Sequence, residues 1–126
     1  FVRIDDHPVR IYSQIKKPDM IIVLDPTVMD TVNVLDGLKE GGAIFINTHE
    51  DVSFPAQFTV HKADLTGIAL SENLVVAGSP ILNTPVIGAL AKLGLFTPES
   101  GTETITDTFA DVRNVTVAKK AYNEVI

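Results

Sequence analysis

Four pairs of short polar side chains fall at positions where they could act together: Asp25 with Thr27, Asn47 with Thr48, Asp64 with Thr66, and Asn83 with Thr84. The first three pairs each close an apolar run, and the fourth opens a helical one. Ligands of open parallel sheets bind beyond the carboxyl ends of the strands. A helix N-terminus there adds free N–H groups and a partial positive charge. Gathered at one edge, these groups could hold a phosphate, a carboxylate or an amide. The same residue types are the ordinary N-caps of helices, so capping alone is the simpler reading of each pair.

Other chemistry is poorly represented. The chain has no cysteine, hence no disulfide and no thiolate for zinc or an iron–sulfur cluster. His7, His49 and His61 lie far apart without ligand spacing, which argues against a metal site. No nucleophile elbow, Walker A loop, dinucleotide fingerprint or zincin motif occurs. The formal net charge is −6, so the electrostatic footprint of a nucleic-acid binder is missing. No apolar run is long enough for a bilayer, and no secretory signal is visible.

The elements that must position these pairs are read from periodicity. At 126 residues the length fits a single domain over 1–126. The opening FVRIDDHPVRIYS alternates on both sides of a turn-like Asp5-Asp6-His7-Pro8, which predicts a hairpin. In that register Arg3 opposes Arg10, an unfavourable pair unless an anion or solvent separates the charges. The runs at 18–25, 43–47 and 58–64 predict three strands of a parallel sheet. Between the first two, Val28, Val32, Leu35 and Leu38 are spaced for a helix capped by Thr27 and stopped at Gly41. Further helices are expected after Asp64, from Pro85 with Thr84 as cap to Leu93, within 102–112, and after Asn114. The helix at 85–93 is thin along one side, at Gly88, Ala89 and Ala91, which suits close packing on the sheet or on another chain. Three strands and a hairpin are few for about five helical segments, so a βα portion is expected upstream or from another chain.

Four stretches in order carry a more specific signal: FVRIDDHPVRIYSQIKKPDMIIVLDPTV, VLDGLKEGGAIFINT, KADLTGIAL and NTPVIGALAKLGLF. Together they resemble the gamma subunit of the 2-oxoacid:ferredoxin oxidoreductases over nearly the whole chain. The resemblance implies a Rossmann-like three-layer α/β/α fold with a mostly parallel sheet and an N-terminal hairpin, lacking its first βα portion. Family gamma subunits begin with a strand and a loop of the Gly-Arg-Gly-Gly-Gln-Gly type, which this sequence does not contain. Leu65 and Gly67 also stand where family members often differ.

The same resemblance implies a place in a cytoplasmic, oxygen-sensitive complex of anaerobic metabolism. Such complexes convert a 2-oxoacid, here pyruvate by expectation, and coenzyme A to acyl-CoA and carbon dioxide while reducing ferredoxin. Thiamine diphosphate with Mg2+ and [4Fe-4S] clusters would be held by other parts, and the alpha, beta and delta parts would be the partners. This chain would bind no cofactor alone and hold no catalytic residue. Asn47, Thr48, Asp64, Thr66, Asn83 and Thr84 are then candidates for a coenzyme A or interface role. Arg3, Arg10, Gly88 and Ala91 are candidates for a subunit interface. A stand-alone small-molecule module and a purely structural subunit remain as alternatives.

Overall fold

A computed structural model describes residues 1–126. Strands β1 (Met20–Val23), β2 (Ala43–Asn47) and β3 (Thr59–Ala63) form a parallel sheet in the order β1-β2-β3. Ile21 pairs with Ile44, and Ile44 with Val60. The central strand reads Ala-Ile-Phe-Ile-Asn, and Ile44, Phe45 and Ile46 are all fully buried. Alternate residues of a strand point to opposite faces, so both faces of the sheet are covered.

Four α-helices follow: α1 (Leu65–Ser71), α2 (Asn83–Lys92), α3 (Pro98–Thr108) and α4 (Arg113–Glu124). The principal core joins Phe45 and Ala63 of the sheet to Leu65 and Ile68 of α1, Ala89 of α2, and Val117 and Ala121 of α4. A two-stranded hairpin, β4 (Val75–Val76) with β5 (Ser79–Pro80), links α1 to α2. Its turn residues Ala77 and Gly78 both have positive φ, the geometry that fits the right-handed twist of the flanking strands. Gly94 ends α2. Its φ is 84°, its N–H donates to the Ala91 carbonyl and that of Leu95 to the Leu90 carbonyl, a Schellman closure.

The α/β class is as read from the sequence, but two expected elements are not formed. The N-terminal hairpin is one: residues 1–19 contain no strand. The turn is partly present, since the His7 N–H donates to Asp5 Oδ1 at 3.3 Å. A lone two-stranded hairpin is marginal in water, and this one would oppose Arg3 to Arg10. The pairing of the two guanidinium groups therefore does not occur.

The other is the helix between β1 and β2, which is only a single 3-10 segment (Pro26–Asp30) followed by turns. Val28, Thr31, Val32 and Val34 are β-branched and stiff against a preceding helical turn. Asn33 offers its side-chain oxygen to the Leu35 N–H at 3.2 Å, a local bond that competes with the helix. The cap is Asp25 rather than Thr27, and the positive φ of Gly41 closes a turn. Smaller shifts occur in α2, which starts at Asn83, and in α3, which starts at Pro98 behind the Thr97 cap.

Candidate functional site

The carboxyl edge of the sheet is organised by one side chain. Asn47 ends β2 and is almost fully buried. Its Nδ2 donates to the Leu24 carbonyl and to Thr66 Oγ1, both at 2.9 Å. Its Oδ1 accepts from the N–H groups of Leu65 at 2.8 Å and Thr66 at 3.3 Å. A primary amide has two donors and two acceptor lone pairs, and all four are used. Asn47 thus ties the end of β1 to the end of β2 and the start of α1.

Asp64 completes this arrangement. It caps α1 by accepting the Gly67 N–H on Oδ1 at 2.8 Å. A Cβ at position 67 would stand 2.3 Å from Asp64 Oδ2, so glycine is what lets the carboxylate lie this close. The N–H groups of Leu65, Thr66 and Gly67 are therefore all satisfied from within the chain. These are the donors an anion at this helix start would require. The charged side chains at the strand ends, Asp25 and Asp64, are both negative. Asp25 accepts from the Thr27 N–H at 3.0 Å and the Thr27 hydroxyl at 2.7 Å. Those bonds, the hydroxyl's first, hold its carboxyl below the ordinary 3.8.

The remaining candidates are placed elsewhere. Thr48 is half-buried after β2, and its Oγ1 accepts from the Glu50 N–H at 3.1 Å. Thr84 does not cap α2: it lies inside the helix, is buried, and donates from Oγ1 to Asn114 Oδ1 at 2.9 Å. Asn114 in turn lies inside α4 rather than at its cap, and donates from Nδ2 to the Asp111 carbonyl at 3.0 Å. This polar link between α2 and α4 is separate from the Asn47 network, and no hydrogen bond joins the two. Asn83 is exposed at the start of α2.

Gly88 faces inward. A Cβ there would lie 1.8 Å from the carbonyl oxygen of Ala118 and 2.9 Å from its Cα. The thin side of α2 therefore serves close contact with the backbone of α4 in the same chain. The contact is with a neighbouring helix, where the sequence had offered the sheet or another chain as the surface. Ala91 is buried at the edge of a groove between α2, α3 and α4. Arg3 is half-buried and Arg10 exposed, and neither takes part in a salt bridge.

Sequence reasoning missed a second fastening. Arg113 grips the Asp111 carboxylate through Nε and Nη2, at 2.9 and 2.6 Å to Oδ2. Its Nη1 donates to the Asn73 carbonyl at 3.0 Å, joining α4 to the end of α1. The signal available was the Asp-x-Arg spacing of Asp111 and Arg113 just ahead of a helix. The side-chain hydrogen bond from Arg113, then that from its N–H, holds the Asp111 carboxyl below 3.8.

A carboxyl depressed in the folded state favours folding above its unfolded value and loses that effect as pH falls through the folded value. The Asp111 contribution is therefore full above about pH 4 and lost below it. Urea midpoints at pH 5 and pH 3 are expected to differ less for Asp111→Asn than for the parent chain. An equal drop in both would assign the acid loss to other groups.

The chain has no thiolate, and no three His, Asp or Glu side chains are grouped to hold a metal ion. What the fold and the strand ends define is a parallel α/β domain whose polar edge groups are spent on internal fastening. Comparison with known proteins gives the family. The model of the family described as pyruvate ferredoxin/flavodoxin oxidoreductase matches residues 1–124, and the chain belongs to that family.

Among relatives, the Pyruvate/ketoisovalerate oxidoreductases common subunit gamma of Thermococcus kodakarensis is 40% identical over 136 residues, covering 100% of this chain and 71% of that one. The Pyruvate synthase subunit PorC of Methanocaldococcus jannaschii is 41% identical over 130 residues, covering 100% and 70%. The crystal structure of pyruvate oxidoreductase subunit PORC from Thermotoga maritima superposes with a TM-score of 0.73 at 29% identity. That match covers 89% of this chain and 66% of the Thermotoga chain.

Proposed function

We propose that the chain is the gamma-type part of a 2-oxoacid:ferredoxin oxidoreductase, with pyruvate as the 2-oxoacid and ferredoxin as the electron acceptor. The observation that carries this reading is the similarity to gamma and PorC subunits, 40% and 41% identical across 100% of this chain and 71% and 70% of theirs. In this reading the alpha, beta and delta parts of the cytoplasmic complex hold thiamine diphosphate, Mg2+, the clusters and the reacting substrates. The present chain packs against them and supplies no catalytic residue. The pure chain is expected to show no pyruvate-dependent reduction of a viologen dye above a no-protein blank. Dye reduction that follows the chain through purification would overturn the non-catalytic role.

The N-terminal segment favours the interface half of this reading. Phe1, Val2, Ile4, Ile11 and Tyr12 are each at least 63% exposed, in a stretch with no regular structure of its own. Arg3 and Arg10 lie among them without an ionic partner. Apolar side chains flanked by unpaired guanidinium groups suit a surface covered by a partner with carboxylates. Replacing either Arg by Ala is expected to weaken association with the other parts by about 1–3 kcal/mol. Titration of the labelled chain against the remaining subunits measures this; unchanged affinity removes the arginines from the interface. Of the six residues proposed for coenzyme A or the interface, Asn83 is the exposed one at a helix start, and Asn83→Ala is expected to weaken coenzyme A dependence without loss of fold. Thr84, Asn47, Thr66 and Asp64 would act only through the packing they hold.

A further inference from the structure

Helices α2, α3 and α4 leave a groove of about 590 Å3 between them. Its floor is Ile87, Ala91, Ile105 and Ala118, with Tyr122 on one wall. The volume lies in the range of about 300–1,000 Å3 typical of pockets that bury a compact ligand. Small-molecule pockets also present fixed polar groups to their ligand. Here no buried side-chain polar atom lacks a partner. The groove thus has an apolar floor, and its polar residues Glu99, Glu103, Lys119 and Asn123 are exposed around it.

The exposed side of α3 carries a specific charge pattern, of which Glu99 and Glu103 line the groove. Glu99, Glu103 and Asp107 are spaced four residues apart, all exposed, on a helix without a single basic residue. They lie in a row about 12 Å long, from the rise of 1.5 Å per residue. Like charges at this spacing disfavour a helix, and Asp107 in the last turn also opposes the helix dipole. None of them takes part in a salt bridge: the four that form use Asp19, Asp51, Asp111 and Glu72. The facing α4 wall contributes one cation, Lys119.

We propose that this groove docks a basic amphipathic helix of another protein. Its apolar face fills the space over Ile87, Ala91, Ile105 and Ala118, and Lys or Arg at four-residue spacing meet Glu99, Glu103 and Asp107. This is the helix-in-groove mode, with anchors at i, i+3/i+4 and i+7. A second copy of the chain does not supply such a helix. Only α4 carries more than one basic residue, and there Arg113 and Lys120 are already paired and Val117 and Ala121 lie in the core. The proposal does not depend on the family reading, and its test involves no other subunit.

The test uses the full chain with a 15-residue amphipathic peptide of Leu and Lys, beside the Leu/Glu peptide of the same pattern. Amide chemical shifts are expected to move at Thr102, Glu103, Lys119 and Tyr122 on saturable titration with the Leu/Lys peptide only. The surface double variant Glu99→Gln/Glu103→Gln should weaken binding at least tenfold. Thr102→Trp, which fills the groove, should abolish it while the far-ultraviolet spectrum is kept. Shifts elsewhere on the chain, equal binding of the Leu/Glu peptide, or unchanged affinity in the double variant would each overturn the proposal. Self-association in sedimentation that Thr102→Trp removes would give the groove to a second copy and overturn it equally.

Discussion

Replacing Gly88 by alanine is expected to destabilise the domain by about 3 kcal/mol or more, the upper end of what overpacking costs. Alanine is the better helix former by about 1 kcal/mol, so propensity alone predicts a gain. Geometry reverses the sign. The added Cβ would stand 1.8 Å from the Ala118 carbonyl oxygen, and both partners in that contact belong to helices. A side chain can rotate away, but a backbone carbonyl inside α4 cannot move without the helix. Restoring ordinary contact would part α2 and α4 by more than about 1 Å. That opens the core where Ala89, Val117 and Ala121 meet and stretches the Thr84–Asn114 bond. Ala91→Leu should cost less, because its neighbour is the groove. Urea denaturation of the two variants measures the difference; a Gly88→Ala chain as stable as the parent would mean that α2 and α4 do not lie this close.

Asn47→Leu is expected to cost a similar amount, about 3–5 kcal/mol, by a different route. Leucine fills the same space but leaves the N–H groups of Leu65 and Thr66 and the Leu24 carbonyl without the partner they have now. Each buried group left unsatisfied costs about 1–3 kcal/mol, and members of one network do not add independently. Amide exchange separates this from general loosening. Leu65 and Thr66 should lose protection before the core strand Ile44–Ile46 does. Uniform loss of protection, or none, would show that solvent or a shifted backbone already serves these groups.

These two residues also show what was legible in the sequence. The thinness of α2 and the polar strand ends were visible as residue types, and the parallel strands as apolar runs of the right length. What Gly88 packs against was not, since a glycine in a helix fits a sheet, a partner or a neighbouring helix equally. The pair Thr84 and Asn114 looked like two caps because each precedes an apolar periodic run. Only the crossing of α2 and α4 places them 2.9 Å apart. The misread helix after β1 had the correct 3.6-residue spacing, but its β-branched residues and Asn33 favour turns, and spacing does not weigh that. Thr97-Pro98 is a plain start signal for α3, but it precedes the stretch where the apolar positions recur.

The reading of this chain as a gamma-type subunit is tested most directly by native mass spectrometry of the complex purified through a tag on another part. The expected spectrum contains this chain bound in fixed stoichiometry with the alpha, beta and delta parts, and the N-terminal arginine variants lower its occupancy. A complex that is complete and reduces ferredoxin without this chain, which then runs as a free monomer, would contradict it.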